Sequence, residues 1–492
     1  MPQGILPYKY EEEKTTSGMT ALAGLPVYLD LASVLNLGES VTTHLQVKVQ
    51  GWTDEQIILS LILLNLAGGE SVDDLRILEA DEGFCRILGR IELKGLKRKE
   101  RRETQRRWRK EKHRSVPSPS AVFRYLATFH ADSARVEGKA VIPPVTELLG
   151  ALEWVNRDLV SDIHKRNPRD CATLDMDATV IETQKKDALF SYKGCKAYQP
   201  LNTYWAEQGC ILHTEFRDGN VPAGFEQLRV FTHALSLLPQ GIKTVRLRSD
   251  TAGYQHDLMK YCDDETKHLH LGRIEFAIGC DVTPEFRKAV HGVEEWHPLF
   301  DTKGHVSGEW GEVCFVPNAA ATKKGEPYRY IAIREVMKQP HLPLDSLPFQ
   351  AITFHDVQYK LFGLVTNMDW EGGKLIHWHR ERCGKSEEAH AVMKEDLAGG
   401  RLPSGKFGEN AAWWWIMILA FNLNAAMKNL VLQGCWTTRR MKAIRFHLIN
   451  LPGRVLDHAR GLVVRLGLNH PSFPVLLTAR QKIMELGCAP SG

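Results

Sequence analysis

Two aspartates lie two positions apart in the stretch CATLDMDATVIET, residues 171–183. Apolar and polar residues alternate around them with the period of two that is typical of a β-strand, so Asp175 and Asp177 fall on one face. Strands disfavour aspartate, and an ionised carboxylate inside a sheet costs free energy unless it is paired or bound to a metal ion. The stretch therefore predicts a strand whose acidic residues pair with a cation or bind metal.

A third aspartate, Asp250, ends the predicted strand KTVRLRSD, residues 243–250. Ligands of open α/β sheets gather outside the carboxyl ends of strands. If the two strands are neighbours, Asp177 and Asp250 can converge on Mg²⁺, which prefers oxygen ligands. Two such ions about 3.5–4 Å apart can activate a water or a 3′-hydroxyl for attack on a phosphodiester. The simpler alternative is that Asp250 only caps the helix that follows.

The elements that must position these acids change in type along the chain. Residues 20–90 have helical patterns, with Thr53 and Gln56 at capping-box spacing. The stretch SVPSPSA (115–121) ends the helix that is predicted directly before it. Strands alternate with helices from about residue 170, residues 270–376 are rich in strands, and the sequence after 376 has helical patterns to its end. We therefore predict an α/β fold: a domain interrupted by a β-rich insertion and preceded by an all-helical N-terminal region.

Positive charge is concentrated in one segment. The chain carries a net charge of +4, yet residues 94–114 hold twelve Lys or Arg and only three Glu, so the rest of the chain is negative. Such a segment indicates a polyanionic partner such as nucleic acid, and the alternative is a solvated basic helix or arm. The candidate DNA-binding residues of this segment are Lys97, Arg98, Arg101, Arg102, Arg106, Arg107, Arg109 and Lys110.

Cysteine usage and apolar runs favour a cytoplasmic protein. The ten cysteines form no CxxC pair and no cluster at zinc spacing, and the first residues, MPQGILPYKYEEEKTT, contain no apolar run that would indicate a signal peptide. The apolar runs at 57–67 and 411–421 are shorter than the roughly 20 residues that cross a bilayer, so we expect buried core helices and no membrane partner. Core packing is also favoured over base stacking for Trp413–Trp415, and buried hydrogen bonding for Asn422 and Asn424.

Three local patterns carry a resemblance to a known family. LDMDATVIET has the form D-x-T at Asp177, VRLRSDTAGY has the form D-[ST]-x-x-[FY] at Asp250, and RCGKSEEAHAVMKED places Glu387 seven residues before Lys394. With YKGCKAYQPLNTY (192–204), FRDGNVPAG (216–224) and the helical stretch 405–431, their order and spacing resemble the RNase H-like DDE transposases of bacterial insertion sequences. The resemblance is to the branch marked by a Y-x2-R-x3-E-x6-K signature, and it runs through most of the chain.

The resemblance implies a catalytic domain in which Asp177, Asp250 and Glu387 bind two Mg²⁺ ions, with Mn²⁺ as a substitute; the D-x-T form favours Asp177 over Asp175. It implies a bacterial transposase at the nucleoid that binds the terminal inverted repeats of its element and target DNA. In the DNA complex it would be a homodimer that catalyses cut-and-paste cleavage and strand transfer. The implied segments are 1–165 (helical DNA-binding and dimerisation region), 166–269 and 377–450 (RNase H-like domain), 270–376 (β-rich insertion) and 451–492 (helical tail).

The third acid is less well determined than the two aspartates. Four residues instead of three separate Arg382 from Glu387, and His379 stands at the tyrosine position of the signature. Glu388 competes with Glu387, but on a regular helix Glu387 shares a face with Lys394 while Glu388 points about 100° away. We therefore favour Glu387.

Three basic residues near this acid have two interpretations. The resemblance implies that Arg382, Lys385 and Lys394 hold DNA phosphates, whereas the alternative is that they are surface charges paired with Glu381 and Glu388. The altered signature leaves two further functions open: a metal-dependent nuclease or resolvase without strand transfer, and an inactive, transposase-derived DNA-binding protein.

Overall fold

The computed structural model describes residues 17–110, 113–132, 139–268, 270–317, 328–337, 350–458 and 461–488, without the side chains of 107–110. Contacts divide the chain into two compact units. The first comprises Met1–Asp132, Val145–Arg166 and Val392–Gly492, and the second comprises Ser133–Pro144 and Asn167–Ala391. The predicted catalytic segment 377–450 thus spans a boundary between units at residue 391, and the five predicted domain limits stay a prediction.

The helices of the described residues are, in chain order, α1 (Pro26–Val34), α2 (Leu37–His44), α3 (Asp54–Ala67), α4 (Leu75–Ala80), α5 (Glu82–Glu92), α6 (Arg98–Lys110), α7 (Pro119–Ala127), α8 (Glu147–Arg166), α9 (Gln227–Ser236), α10 (His256–Asp263), α11 (Pro284–Val290), α12 (Gly372–Ala391), α13 (Phe407–Ala426), α14 (Met441–Ile444) and α15 (Ser472–Cys488). Wider π-helical turns follow three of them, at Val392–Asp396, Met427–Leu432 and Arg445–Ile449.

The strands are β1 (Met19–Thr20), β2 (Cys171–Ala178), β3 (Ile181–Glu182), β4 (Leu189–Phe190), β5 (Lys196–Tyr198), β6 (Leu201–Trp205), β7 (Cys210–Glu215), β8 (Thr244–Ser249), β9 (Glu275–Cys280), β10 (His297–Phe300), β11 (Val306–Val313), β12 (Arg329–Val336), β13 (Ala351–Phe354), β14 (Val357–Thr366), β15 (Gly453–His458) and β16 (Gly461–Leu466).

Helix α3 begins and ends at the residues that the sequence predicts. The Thr53 hydroxyl accepts a hydrogen bond from the Gln56 backbone N–H at 3.2 Å, and the Gln56 side chain accepts one from the Thr53 N–H at 3.0 Å, so the capping box is confirmed. Gly68 ends the helix with φ +102°, a left-handed conformation that costs glycine little.

Helix α13 is the core of the first unit. Trp413, Trp414 and Trp415 are at most 5% exposed, which confirms that they pack in the interior. Asn422 donates a hydrogen bond to Asn156 on α8 at 2.7 Å, and Tyr28 on α1 donates one to Asn424 at 2.8 Å. The two amides are therefore the buried hydrogen-bonding groups that were predicted.

Helix α13 together with its π-helical turn, 407–432, is the single described helix long and apolar enough to cross a membrane, and 83% of its apolar window is buried inside the protein. A second candidate is the pair Asp54–Ala67 and Val72–Ala80, which bends by 95° at its break.

A ten-stranded mixed sheet forms the second unit, in the order β10-β11-β12-β14-β9-β8-β2-β6-β7 with β13 beside β14. Strand β2 pairs antiparallel with β6, which pairs antiparallel with β7. On its other side β2 pairs in parallel with β8, and β8 pairs in parallel with β9. The predicted insertion, 270–376, contains β9–β14: β9 pairs with β8, and β10–β14 continue the same sheet through the pairing of β14 with β9.

The C-terminal segment differs from the prediction of a helical tail. Residues 453–466 form the antiparallel hairpin β15–β16, and β1 from the N-terminal region adds a third strand beside β15. The prediction of wholly helical N- and C-terminal segments is therefore wrong at these strands. The β-branched residues Val455, Val463 and Val464 favour a strand there.

Candidate active site

Asp177 and Asp250 lie side by side at the ends of neighbouring parallel strands. The register pairs Met176 with Ser249, and one residue further along both strands the two aspartates follow. Both line one cavity of about 410 Å³, together with the loop residues 219, 220 and 222–224. The sheet thus brings together two of the three predicted catalytic acids.

The surroundings make the negative charge of Asp250 unfavourable. Burial raises the pKa of its carboxyl above the ordinary value, and the nearby charge of Asp177 raises it further, while Arg382 acts in the opposite direction. Asp250 also accepts a hydrogen bond from the Ala252 backbone N–H at 2.9 Å, at the start of a 3-10 turn. It is therefore a cap, as the simpler interpretation had it, and a cavity-lining acid as well.

Helix α12 contacts Asp177 with two side chains that are one turn apart. Arg382 Nη1 donates to Asp177 Oδ2 at 3.2 Å, and the Ser386 hydroxyl donates to the same oxygen at 2.8 Å. Both are buried, at 7% and 3% exposure. Arg382 is thus not a surface charge, because it is buried and pairs with an acid of the site. Its contact with a DNA phosphate stays a prediction.

Glu387 is exposed on α12 directly after Ser386. One residue turns an α-helix by about 100°, so Glu387 lies on the flank of the face that contacts the sheet, and Glu388, also exposed, lies further round. The helical phase that linked Glu387 to Lys394 does not apply, because the π-helical turn begins at Val392. Glu387 as the third acid stays a prediction.

Sequence reasoning missed Ser386. The signature places its glutamate four residues after its arginine, and four residues after Arg382 stands Ser386, which contacts Asp177. The spacing R-x3-S was a visible signal for this contact. His379, at the tyrosine position, donates through Nε2 to the Ser249 backbone oxygen at 3.0 Å.

The other predicted residues do not line this cavity. Asp175 pairs with Arg248 at 2.6 Å, which confirms the alternative that it binds an arginine. Lys385 is exposed, and its Nζ lies 3.5 Å from Oε2 of Glu381, as expected for a surface charge. Lys394 belongs to the first unit.

Helix α6 carries the predicted basic segment in the first unit. Its described candidates Arg98, Arg101, Arg102 and Arg106 are exposed, as is Lys97 directly before the helix. The side chains of Arg107, Arg109 and Lys110 lie outside the described residues.

The chain matches the model of the family "Transposase DDE domain group 1" over residues 13–488. It belongs to this family of DDE transposases. No curated protein matches the sequence. Among solved structures, the cryo-EM structure of a piggyBac transposase synaptic complex with hairpin DNA is similar with a TM-score of 0.42 and 10% identity, over 97% of this chain and 85% of that one. That TM-score is too low to support an argument about function.

The acids of this DDE transposase fit a hard divalent cation. The donors that Asp177 and Asp250 offer are carboxylate oxygens, which suit Mg²⁺ or Mn²⁺ better than the softer metals that select sulfur. Asp177 lowers the stability of the charged form of Asp250, and a cation between them would reverse that effect.

We expect Asp250→Asn to raise the melting temperature of the metal-free transposase at pH 7. The raised pKa of Asp250 means that its ionised form destabilises the fold, and an asparagine removes that charge while its side-chain oxygen can still cap the Ala252 N–H. Asp264 is the matched control, because it caps another 3-10 turn but is only partly buried, with a pKa lowered by its hydrogen bond from Thr266. Asp264→Asn should not raise the melting temperature, and a lower melting temperature for Asp250→Asn would contradict the described electrostatics.

We expect His379 to make the fold less stable in acid. Burial lowers the pKa of His379 from its ordinary 6.5 to about 4. Below pH 6.5 the unfolded chain therefore gains a proton that the folded chain does not, and the free energy of unfolding falls by up to about 3 kcal/mol by pH 4. Denaturant titrations of the native protein and His379→Gln between these pH values measure the difference. Parallel pH profiles would show that His379 titrates normally in the folded state.

Proposed function

We propose that this protein binds the ends of an insertion sequence and catalyses metal-dependent DNA cleavage and strand transfer of the cut-and-paste type. The observation that carries the proposal is the pair Asp177 and Asp250, at the ends of adjacent parallel strands and lining one cavity. The flanking strand order, antiparallel on the β6 side and parallel on the β8 side, supports an RNase H-like catalytic domain.

Asp177, Asp250 and Glu387 would hold two Mg²⁺ ions, or Mn²⁺ in their place. When bound, such ions activate a water or 3′-hydroxyl and stabilise the leaving oxygen of the phosphodiester. The protein itself positions the acids: Ser386 and Arg382 hold the Asp177 carboxylate, and the Ala252 N–H holds that of Asp250. Positioning and charge stabilisation suffice, so no covalent protein–DNA intermediate is needed.

Double-stranded DNA would be bound first through its phosphates. The exposed arginines of α6 supply sequence-tolerant attraction, and Lys385 and Lys394 are further candidates for phosphate contact. Two element ends must be joined, so we infer a homodimer in the DNA complex, with terminal inverted repeats and target DNA as its partners. A bacterial nucleoid, without a membrane partner, is the location that these partners imply.

Strand transfer separates this proposal from its alternatives. Purified protein incubated with end-bearing DNA and Mg²⁺ should give insertion products. Cleavage without insertion would instead favour a nuclease or resolvase, and DNA binding without cleavage would favour an inactive transposase-derived protein.

We expect Asp177→Asn and Asp250→Asn each to reduce cleavage by more than about 100-fold, the upper range for residues that only support metal ligands. DNA binding, measured by gel shift, should be retained. Glu387→Gln should behave as the aspartate variants do, while Glu388→Gln, its neighbour on the same exposed stretch, is the control and should cleave as the native protein does. Undiminished cleavage by either aspartate variant would rule out the site, and the reverse result for the two glutamates would move the third acid to Glu388.

We expect Arg101→Ala with Arg102→Ala to weaken binding of any DNA sequence to a similar degree. Each lost phosphate contact should reduce the slope of log affinity against log salt by about 0.9. Fluorescence anisotropy from low to physiological salt measures this slope. Arg76→Ala, an exposed arginine of the same unit that pairs with Asp73, should leave the slope unchanged; equal slopes for all three proteins would remove α6 from the DNA interface.

A further inference from the structure

Asp175 and Arg248 form an ion pair that is closed off from solvent within the second unit. Each is 1% exposed, and the register of β2 and β8 sets them opposite each other. Arg248 Nε donates to Asp175 Oδ1 at 2.6 Å and Nη2 donates to Oδ2 at 2.9 Å. Both oxygens of Asp175 are thereby committed to the guanidinium in the bidentate geometry that gives strong, directional pairing.

The same guanidinium has a third contact, outside the sheet. Arg248 Nη1 donates to the backbone oxygen of Trp378 on α12 at 2.6 Å, and the guanidinium carbon lies 4.9 Å from the centroid of the Trp378 ring. Arg248 therefore joins β2, β8 and α12 at one point. Because the acceptor is a backbone atom, the bond fixes the position of the helix itself.

Trp378 lies one turn before Arg382 and nine residues before Glu387. At a rise of 1.5 Å per residue, the anchor point and Glu387 are about 13 Å apart on one helix. Two of the contacts that α12 makes beyond the anchor, from Arg382 and Ser386, end on Asp177. Those two contacts are lost if Asp177 turns to a metal ion, and α12 is then held beside the anchor by His379, bonded to the Ser249 oxygen, and by Arg380, bonded to Glu335.

Apolar packing also holds the start of α12, where Leu375 and Ile376 join a buried cluster with Trp310 and Leu364. Such packing is non-directional and leaves the translation of the helix along its axis weakly determined. A buried ion pair, for its part, is often no more stabilising than apolar residues of the same volume. The pair therefore has more to contribute to the position of the helix than to the stability of the unit.

We propose that Asp175, acting through Arg248, is a positioning residue that holds α12 so that Glu387 reaches the metal site of Asp177 and Asp250. The inference rests on the proposed function and assigns the two aspartates of β2 separate tasks. Asp175 holds the helix, and Asp177 is left to bind metal.

The test is Arg248→Lys in the full-length protein. A lysine keeps the positive charge beside Asp175 but cannot pair with it through two nitrogens and still reach the Trp378 oxygen. We expect Mn²⁺ affinity, measured by calorimetry, to fall about 10- to 100-fold, the range for residues that orient metal ligands. Amides of residues 379–391 should also exchange with deuterium faster than in the native protein.

Arg246→Lys is the matched control. Arg246 lies two residues earlier on β8, pairs with Glu275 at 2.6 Å and contacts the Trp370 ring. The variant therefore replaces arginine by lysine on the same face of the same strand. It should keep native Mn²⁺ affinity and native exchange of α12. Equal behaviour of both lysine variants would overturn the positioning role.

If the proposed metal site were wrong, the experiments would give a different result from a failure of the positioning role. If the native protein bound no Mn²⁺, or if Asp177→Asn bound it as the native protein does, the proposed function would lose its metal site, and amide exchange in α12 would still decide the role of Arg248. If Arg248→Lys did not fold, Asp175→Asn would be measured in the same way. The native protein offers a test without any variant: amides within one turn of Trp378 must exchange more slowly than those of 387–391, and equal rates would contradict an anchor at that point.

Discussion

Parallel pairing of β2 with β8 is the constraint on which the candidate site depends. It sets Met176 opposite Ser249 and so brings two aspartates together that are far apart in the sequence. The same pairing sets Asp175 opposite Arg248, one pleat earlier on the same face. A slip of one residue in this register would turn all four side chains away from their partners, so a single set of backbone hydrogen bonds determines both the acids of the cavity and the anchor of α12.

The two neighbouring acids of the site lower the stability of the fold, as functional residues often do. Asp250 is buried next to another acid, and its pKa is raised as a result. Arg382 offsets only part of this repulsion while it is bonded to Asp177. A fold selected for stability alone would not place two carboxylates together, whereas one selected to bind a cation gains from having them ready.

Local patterns predicted single elements correctly, and of the non-local predictions the convergence of Asp177 and Asp250 was confirmed. The capping box of Thr53 and Gln56 and the strand around Asp177 rest on neighbouring residues, and both were predicted correctly. The hairpin β15–β16 was missed because its short strands are completed by β1 from the other end of the chain. Glu387 was placed on the sheet-facing side of α12 from its helical spacing to Lys394. A wider helical turn lies at Val392–Asp396, and no residue pattern in the sequence predicts it. Ser386 was overlooked for a different reason: it stands at the signature's spacing from Arg382, but the signature has a glutamate at that position, and the glutamate one residue later was chosen instead.

The continuity of the ten-stranded sheet affects how the second unit could be shortened. Strand β14 supplies the antiparallel neighbour of β9, and β9 in turn flanks β8, which ends next to Asp250. Excising the segment between β9 and α12 would make β9 an edge strand. Its unpaired amides and carbonyls could then pair with strands of other chains. The segment predicted as an insertion is thus part of the hydrogen-bonded framework of the sheet, and a minimal catalytic fragment of this chain would have to retain it.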